Sequence, residues 1–278
     1  MDVLSTPAAM RAWRRSHAGS VGFVPTMGYL HEGHISLVRQ STAENEHTVV
    51  SIFVNPAQFA PNEDYERYPR DEVRDLTQLE QAGVGAVYLP TSGDMYPEGY
   101  QTWVDVESLT KPLEGERRPG HFRGVTTVVL KLLNAVGPDR AYFGRKDAQQ
   151  LRVVDRMVRD LDLGVEIVPS EIVREPDGLA MSSRNVYLSP EHRSAAPIIY
   201  QALCAARTEF EHGERDADRL RFIVAETISR VPGAQIDYVS LADDATLVEL
   251  KGTVDERALL SVVVRFGHTR LLDNIELS

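Results

Sequence analysis

Cysteine is almost absent: the 278 residues contain one, Cys204. No disulfide framework and no cysteine metal cluster can form within the chain. No apolar run approaches the roughly 20 residues that a membrane-spanning helix requires. The start, Met1-Asp2-Val3-Leu4-Ser5, lacks the basic residues and apolar stretch of a secretory leader, so a cytoplasmic protein is expected. Positive charge is also scarce. Lys and Arg number 30 against 41 Asp and Glu, a formal net charge of −11. That balance argues against a general nucleic-acid surface, which needs a basic stripe. A small anionic ligand stays open, because a local basic cluster outweighs the global field at short range.

What is present describes an ordered globular chain. Hydrophobic residues make up 42% and charged residues 26%, ordinary proportions that speak against disorder. The length suits one large domain or two ordinary ones. The first part alternates short apolar runs with helical periodicity. Strands are expected at Val21–Pro25, Thr48–Val54, Ala86–Leu89, Arg140–Phe143 and Gly164–Val168. Helices are expected from about His34 to Glu46, and over Glu72–Ala82, Gly124–Val136 and Asp147–Leu161. This alternation predicts an α/β fold, a Rossmann-like doubly wound parallel sheet with helices on both faces. Ligands in such a sheet sit at the carboxyl ends of the strands. After about Val173 the order changes. Two long helices, Pro190–His212 and Asp216–Arg230, precede strands at Gln235–Leu241, Ala258–Phe266 and Thr269–Ile275. The expected division is residues 1–173, binding the ligands, and residues 174–278, a smaller C-terminal α+β domain covering the site.

Chemistry-bearing residues gather at the strand ends. Pro25-Thr26-Met27-Gly28-Tyr29-Leu30-His31-Glu32-Gly33-His34 leaves the first expected strand and enters the first expected helix. A helix N-terminus there offers N–H groups and a positive dipole end to phosphate. His31 and His34 add hydrogen bonds, while Gly28 and Gly33 keep side chains clear of a ligand. A turn with two exposed histidines has the same spacing, and no cysteine or third histidine completes a metal site. At the next strand end, Asn55 can brace its loop and Gln58 can present an amide to a hydroxyl or carboxylate. A polar loop after a strand looks the same. Gly144-Arg145-Lys146-Asp147-Ala148-Gln149-Gln150 follows another strand. There Lys146 supplies a cation, and Asp147 and Gln150 share a helix face, as a structural capping pair also would.

Two further stretches are polar. Met181-Ser182-Ser183-Arg184 offers two hydroxyls and a guanidinium suited to gripping a triphosphate. Arg117-Arg118-Pro119-Gly120-His121-Phe122-Arg123 gathers three arginines and a histidine within an acidic chain. Either stretch taken alone is also what a solvated loop looks like.

An H-x-G-H at a strand end with a later M-S-S-R resembles the nucleotidyltransferase superfamily that includes the class I aminoacyl-tRNA synthetases. Five segments in order, PTMGYLHEGH, FVNPAQF, GHFRGV, YFGRKDAQQ and LAMSSRN, closely resemble the pantothenate synthetase (pantoate–β-alanine ligase) family from about Val24 to Leu188. Tyr29 and Arg145 fall where that pattern is open. The resemblance implies an ATP-dependent, AMP-forming ligation of pantoate to β-alanine through a pantoyl adenylate. It implies that Pro25, Met27, Gly28, His31, Gly33 and His34 bind ATP, with His34 the principal catalytic histidine and His31 beside it. Gly144, Lys146, Asp147, Val173, Met181, Ser182, Ser183 and Arg184 would also bind ATP, Lys146 and Arg184 taking part in catalysis. Gln58 and Gln150 would bind pantoate, with Asn55 and His121 near pantoate or β-alanine. Mg²⁺ would ride on the ATP phosphates rather than in a protein cage. The expected partners are these small molecules, with neither nucleic acid nor membrane, and the expected assembly is a homodimer. An adenylyltransferase acting on a phosphate acceptor would share the histidine motif but has no use for Gln58 and Gln150. A non-catalytic nucleotide-binding regulator would bind without turnover.

Overall fold

The structure, a computed structural model, describes residues 1–61, 63–255 and 257–278. In chain order the first elements are β1 (Asp2–Leu4), α1 (Pro7–Ser16), β2 (Val21–Thr26), α2 (Glu32–Glu44), β3 (His47–Ile52), α3 (Glu72–Gln81) and β4 (Ala86–Tyr88). The short helices α4 (Ser92–Met95) and α5 (Glu114–Arg117) lead to α6 (His121–Val136), β5 (Arg140–Gly144), α7 (Ala148–Asp160) and β6 (Glu166–Ser170). Then come α8 (Pro190–Ala195), α9 (Ile198–Glu211), α10 (Ala217–Ser229), β7 (Ala234–Asp243), β8 (Ala258–Phe266) and β9 (Thr269–Leu277). The chain divides into two compact units, Met1–Arg145 with Gln150–Glu171, and Lys146–Gln149 with Ile172–Ser278. The sequence suggested a single cut at 173/174. The turn carrying Lys146 instead groups with the second unit.

The first unit is built on a parallel sheet of six strands in the order β1-β4-β3-β2-β5-β6. From β2 the chain moves to β3 and β4 on one side, and returns with β5 to the other. The carboxyl ends of β2 and β5 therefore flank the point where the winding reverses, the usual ligand position in such sheets. Period-2 alternation divides the sheet's residues between two layers. Phe23, Val49, Tyr88, Ala141 and Phe143 join a core with α1, α6 and α7. Val24, Val50, Val87 and Tyr142 join one with α2 and α3. Burial on both faces is why these strands read as almost continuous apolar runs.

Sequence periodicity missed β1 and α1, so the histidine motif follows the second strand rather than the first. Three residues are too few to show a period, but a signal for α1 exists. Thr6 accepts the Ala9 N–H at 3.1 Å and Pro7 occupies the first helical turn, a standard helix start.

The second unit packs α9 and α10 on an antiparallel sheet, β7-β8-β9. Alternate residues of β8, from Ala258 through Leu260, Val262 and Val264 to Phe266, enter that core. The single helix expected over Pro190–His212 is two, α8 and α9. Pro197 lies between them, and a proline supplies no N–H and restricts the residue before it.

One glycine sets a close approach that matters for the site. Gly124 in α6 abuts the turn Pro56–Gln58, and a Cβ there would lie 2.3 Å from Ala57 O and 2.7 Å from Gln58 N. Alanine normally stabilises a helix interior by roughly 0.5–1 kcal/mol over glycine. Backbone atoms cannot yield as a flexible side chain can, so Gly124→Ala is expected to destabilise the protein by about 1–3 kcal/mol. Urea unfolding measures it; a raised midpoint would contradict the packing argument.

Candidate active site

The chain leaves β2 at Thr26 and turns sharply to start α2. Gly28 (φ +81°) and Tyr29 (φ +51°) both adopt the left-handed conformation. At Gly28 the strain is avoided by having no side chain, and a Cβ would also press on Ile52 at 2.9 Å. The turn aims two successive N–H groups at one carboxylate. Tyr29 N donates to Asp75 Oδ2 at 2.7 Å, and Leu30 N donates to Asp75 Oδ1 at 2.8 Å. Consecutive N–H groups of this kind form an anion-binding nest, here filled by the protein's own side chain. Asp75 is 1% exposed, and burial pushes its carboxyl above the ordinary value against the pull of those two bonds and of Arg74. Arg74 completes the grip by donating to Leu30 O at 3.0 Å and standing 5.1 Å over the Tyr29 ring.

Beyond this turn the two motif histidines cap α2 reciprocally. Gly33 N donates to His31 Nδ1 at 3.2 Å, and His31 N donates to His34 Nδ1 at 3.3 Å. An imidazole that accepts at Nδ1 carries its proton, when neutral, on Nε2. The cap therefore fixes the tautomer of both neutral rings, with the ring proton on Nε2. The rings lie 4.0 Å apart between centroids, so they form a pair. The N-terminal amides of α2 were expected to meet phosphate directly. Part of that capacity is spent on the histidines, which pass it on as ring N–H groups.

Gln58 is set by a second network. Its backbone carbonyl accepts from His121 Nδ1 at 2.9 Å and from Arg118 Nη2 at 3.4 Å. Its side-chain Oε1 accepts from Asn55 Nδ2 at 3.0 Å. With the oxygen so used, the amide is oriented to present its NH₂, which also lies 3.1 Å from Met27 Sδ. That contact joins the Gln58 turn to the start of the histidine turn. Asn55 is saturated: Nδ2 also donates to Gly124 O at 3.1 Å, while Oδ1 accepts from Ala57 N at 3.2 Å and Tyr96 Oη at 2.8 Å. His121 has both nitrogens occupied, the second by Arg118 Nη1 at 3.2 Å, and Arg118 forks onto Glu63 at 2.6 and 2.8 Å. Burial first, and then the Arg118 charge, push His121 down from the ordinary 6.5 to about 4. Asn55 and His121 were expected to touch substrate. In this structure their polar atoms bond to protein, and both hold Gln58.

Gly144 ends β5, and Gln150 lies in the first turn of α7 in the same unit. In the second unit, Lys146 and Asp147 form a 3₁₀ turn before α7, with Nζ 3.4 Å from Asp147 Oδ1. Val173 and Met181 pair across a short hairpin, Met181 N donating to Val173 O at 3.0 Å. Ser182 then caps the 3₁₀ turn Ser183–Tyr187 by accepting from Arg184 N at 3.3 Å. Lys146, Ala180, Ser182 and Asp273 line one small cavity of this unit. Among the described residues no group of three His, Cys, Asp or Glu side chains is placed to hold a metal ion. No helix among them is long and apolar enough to cross a membrane.

Asp75, Arg74 and Tyr96 are partners of these groups that sequence inspection passed over. Asp75 carried the one available signal, an acid in the row of Leu76, Leu79 and Ala82, residues of α3 and its end that pack toward the sheet. Tyr96 had none, since its partner Asn55 lies 41 positions away.

The family model described as pantoate-beta-alanine ligase matches residues 2–276. Pantothenate synthetase of Herpetosiphon aurantiacus is 54% identical over 275 residues, 99% of each chain. That of Roseiflexus castenholzii is 56% identical over 274 residues, 99% of this chain and 98% of its own. The crystal structure of pantothenate synthetase from Thermus thermophilus superposes with TM-score 0.94 at 50% identity, covering 99% of both chains. Pantoate-beta-alanine ligase of Francisella tularensis, crystallised with beta-gamma ATP and beta-alanine, superposes with TM-score 0.80 at 33% identity, covering 99% of this chain and 97% of its own.

Two outcomes follow from the geometry. In Asp75→Asn, one amide oxygen replaces two carboxylate oxygens, and an NH₂ is turned against a backbone N–H. Relief of a buried charge offsets part of the lost bonding, so stability should change little while turnover falls roughly 10–100-fold, as a displaced catalytic turn costs. Unchanged turnover in the folded variant would refute the positioning role. His121 is held neutral in the fold, so the unfolded chain takes up the extra proton between pH 6.5 and about 4. Its contribution is intact above pH 6.5 and lost as pH falls toward 4. Melting temperatures of the wild type should therefore drop more steeply over that range than those of His121→Gln; parallel curves would remove the claim.

Proposed function

The chain belongs to the pantoate–β-alanine ligase family, and we propose how its residues divide that family's work. The reaction is the ATP-dependent condensation of pantoate with β-alanine to pantothenate. A carboxylate acylates poorly, so the first step converts it. A pantoate carboxylate oxygen attacks the α-phosphorus of ATP, the bond to the β-phosphate oxygen breaks, and pyrophosphate leaves. The β-alanine nitrogen, as free amine, then attacks the acyl carbon of pantoyl adenylate. The acyl–oxygen bond breaks, AMP leaves, and the nitrogen gives up a proton. Transfer at phosphorus needs little covalent help from protein; positioning and neutralisation of charge dominate.

In this scheme His34 and His31 donate Nε2–H to phosphate oxygens as charge builds on them. Pro25, Met27, Gly28 and Gly33 bring the backbone close to ATP, as does Gly144. Gln58 offers its NH₂ to pantoate, and Gln150 binds the same substrate. Lys146 and Arg184 neutralise the triphosphate, Ser182 and Ser183 hydrogen-bond it, and Asp147, Val173 and Met181 hold the rest of the nucleotide. The observation that carries the assignment is the reciprocal histidine cap, which gives both rings the donor tautomer before any ligand arrives. Mg²⁺ would accompany the ATP phosphates, as the family resemblance implies. It would supply further charge neutralisation there. The family resemblance supports a homodimer and a cytoplasmic enzyme.

Pyrophosphate exchange into ATP should require pantoate and proceed without β-alanine. Exchange without pantoate would overturn the order of steps. His34→Ala should lose a factor of roughly 10² or more in that exchange with folding kept, the size typical of one oxyanion-type donor. Wild-type exchange in the variant would remove His34 from the chemistry.

A further inference from the structure

The last strand of the second unit carries a residue of the wrong chemistry for its place. Along β9, Thr269, Leu271, Asp273, Ile275 and Leu277 form one alternating row, and all are buried. Leu271, Ile275 and Leu277 belong to the apolar core. An acid in such a row is costly unless it is paired and hydrogen-bonded. Asp273, its side chain 3% exposed, is both: Arg174 forks onto it at 2.6 and 3.0 Å. The neighbouring Asn274 donates its own backbone N–H to Asp273 Oδ1 at 2.9 Å.

Arg174 in turn organises the hairpin that carries Val173 and Met181. It donates to Gly178 O at 3.1 Å across the hairpin tip, and its guanidinium lies 3.6 Å from the centre of the Tyr200 ring on α9. Arg174 and Ala180 pair directly, and Glu175 O accepts from Gly178 N at 2.8 Å. Asn274 reaches a different segment, donating Nδ2 to Lys146 O at 2.8 Å. Two adjacent residues of one strand thus fasten the two segments to which the nucleotide is assigned, and Asp273 lines the cavity that Lys146 and Ser182 also line.

We propose that Asp273 and Asn274 are the positioning residues of the nucleotide-binding segments, Asp273 through Arg174 for the Val173–Arg184 segment and Asn274 for the Lys146 turn. The proposal rests on the assignment of those segments to ATP. A buried ion pair contributes little net stability against an apolar replacement, so stability alone does not account for an acid here. What a two-pronged, stacked guanidinium supplies is a fixed geometry.

The test separates positioning from bulk stability by measuring two ligands. ATP with Mg²⁺ and pantoate are each titrated calorimetrically into the folded full-length chain, alongside thermal unfolding. Arg174→Lys keeps the charge but loses the fork, and should weaken ATP binding about tenfold, as the loss of one charge-assisted bond does, with pantoate binding within about twofold of wild type. Asn274→Ala, a milder change that keeps the ion pair, should weaken ATP binding about three- to tenfold with the same selectivity. Arg184→Ala reports on the site assignment itself. Weakened ATP binding in Arg184→Ala but not in Arg174→Lys or Asn274→Ala overturns the positioning role alone. Unchanged ATP binding in all three overturns the assignment and the proposal together. Equal losses for ATP and pantoate, tracking a lower melting temperature, show a merely structural pair and also overturn it.

Discussion

One buried carboxylate holds the turn that carries His31 and His34 into α2. Asp75 binds the N–H groups of Tyr29 and Leu30, in a stretch where Gly28 and Tyr29 are both left-handed. A non-glycine residue in that conformation costs on the order of 1 kcal/mol or more, and buried N–H groups without partners cost more. Two charge-assisted bonds on one side chain offset both. The exit from β2 is thereby fixed in direction, and His31 and His34 start α2 at a set place above the sheet. The desolvation of Asp75, which raises its carboxyl above the ordinary value, is the cost of placing a carboxylate there.

The same logic recurs in the side chains that meet ligand in the proposed reaction. Each is bound on one side by protein, so that its other side is defined. The two histidines accept at Nδ1, which puts the proton of the neutral ring on Nε2. Gln58 accepts at Oε1 and at its backbone carbonyl, and is left with its NH₂. Asn55 and His121 act through Gln58, with their own hydrogen bonding consumed. A chemical group held in this way needs little reorganisation when charge develops on its ligand, and that is where most electrostatic catalysis originates.

Much of the first unit was legible because its strands are buried on both faces. Residues such as Val49 and Val50 serve opposite layers, so neither position tolerates a polar side chain for long and the run reads as a strand. The histidine turn was legible because local chemistry alone makes it distinctive. The break between α8 and α9 was written in Pro197 but was outweighed by the apolar period on either side of it. Asn55 and His121 were found as polar residues, but their protein partners were not. Residue type tells what a group can bond, whereas the partner depends on chain segments far away.

The sequence by itself determined the alternation of strands and helices, the strand ends where chemistry-bearing residues gather, and the residue types able to handle phosphate and a hydroxy acid. These depend on spacing and composition over a few residues, which the chain carries locally. Only the tertiary structure decided which nitrogen of His31 and His34 accepts a backbone N–H, which end of the Gln58 amide is held by Asn55, and why Asp75 and Asp273 sit in apolar surroundings. Each of these is set by a hydrogen bond to backbone or to a side chain made available by folding: Asp75 lies 46 residues from Tyr29, and Arg174 lies 99 residues from Asp273. No local pattern encodes contacts at that separation, because they exist only once the sheet and its helices have closed around them.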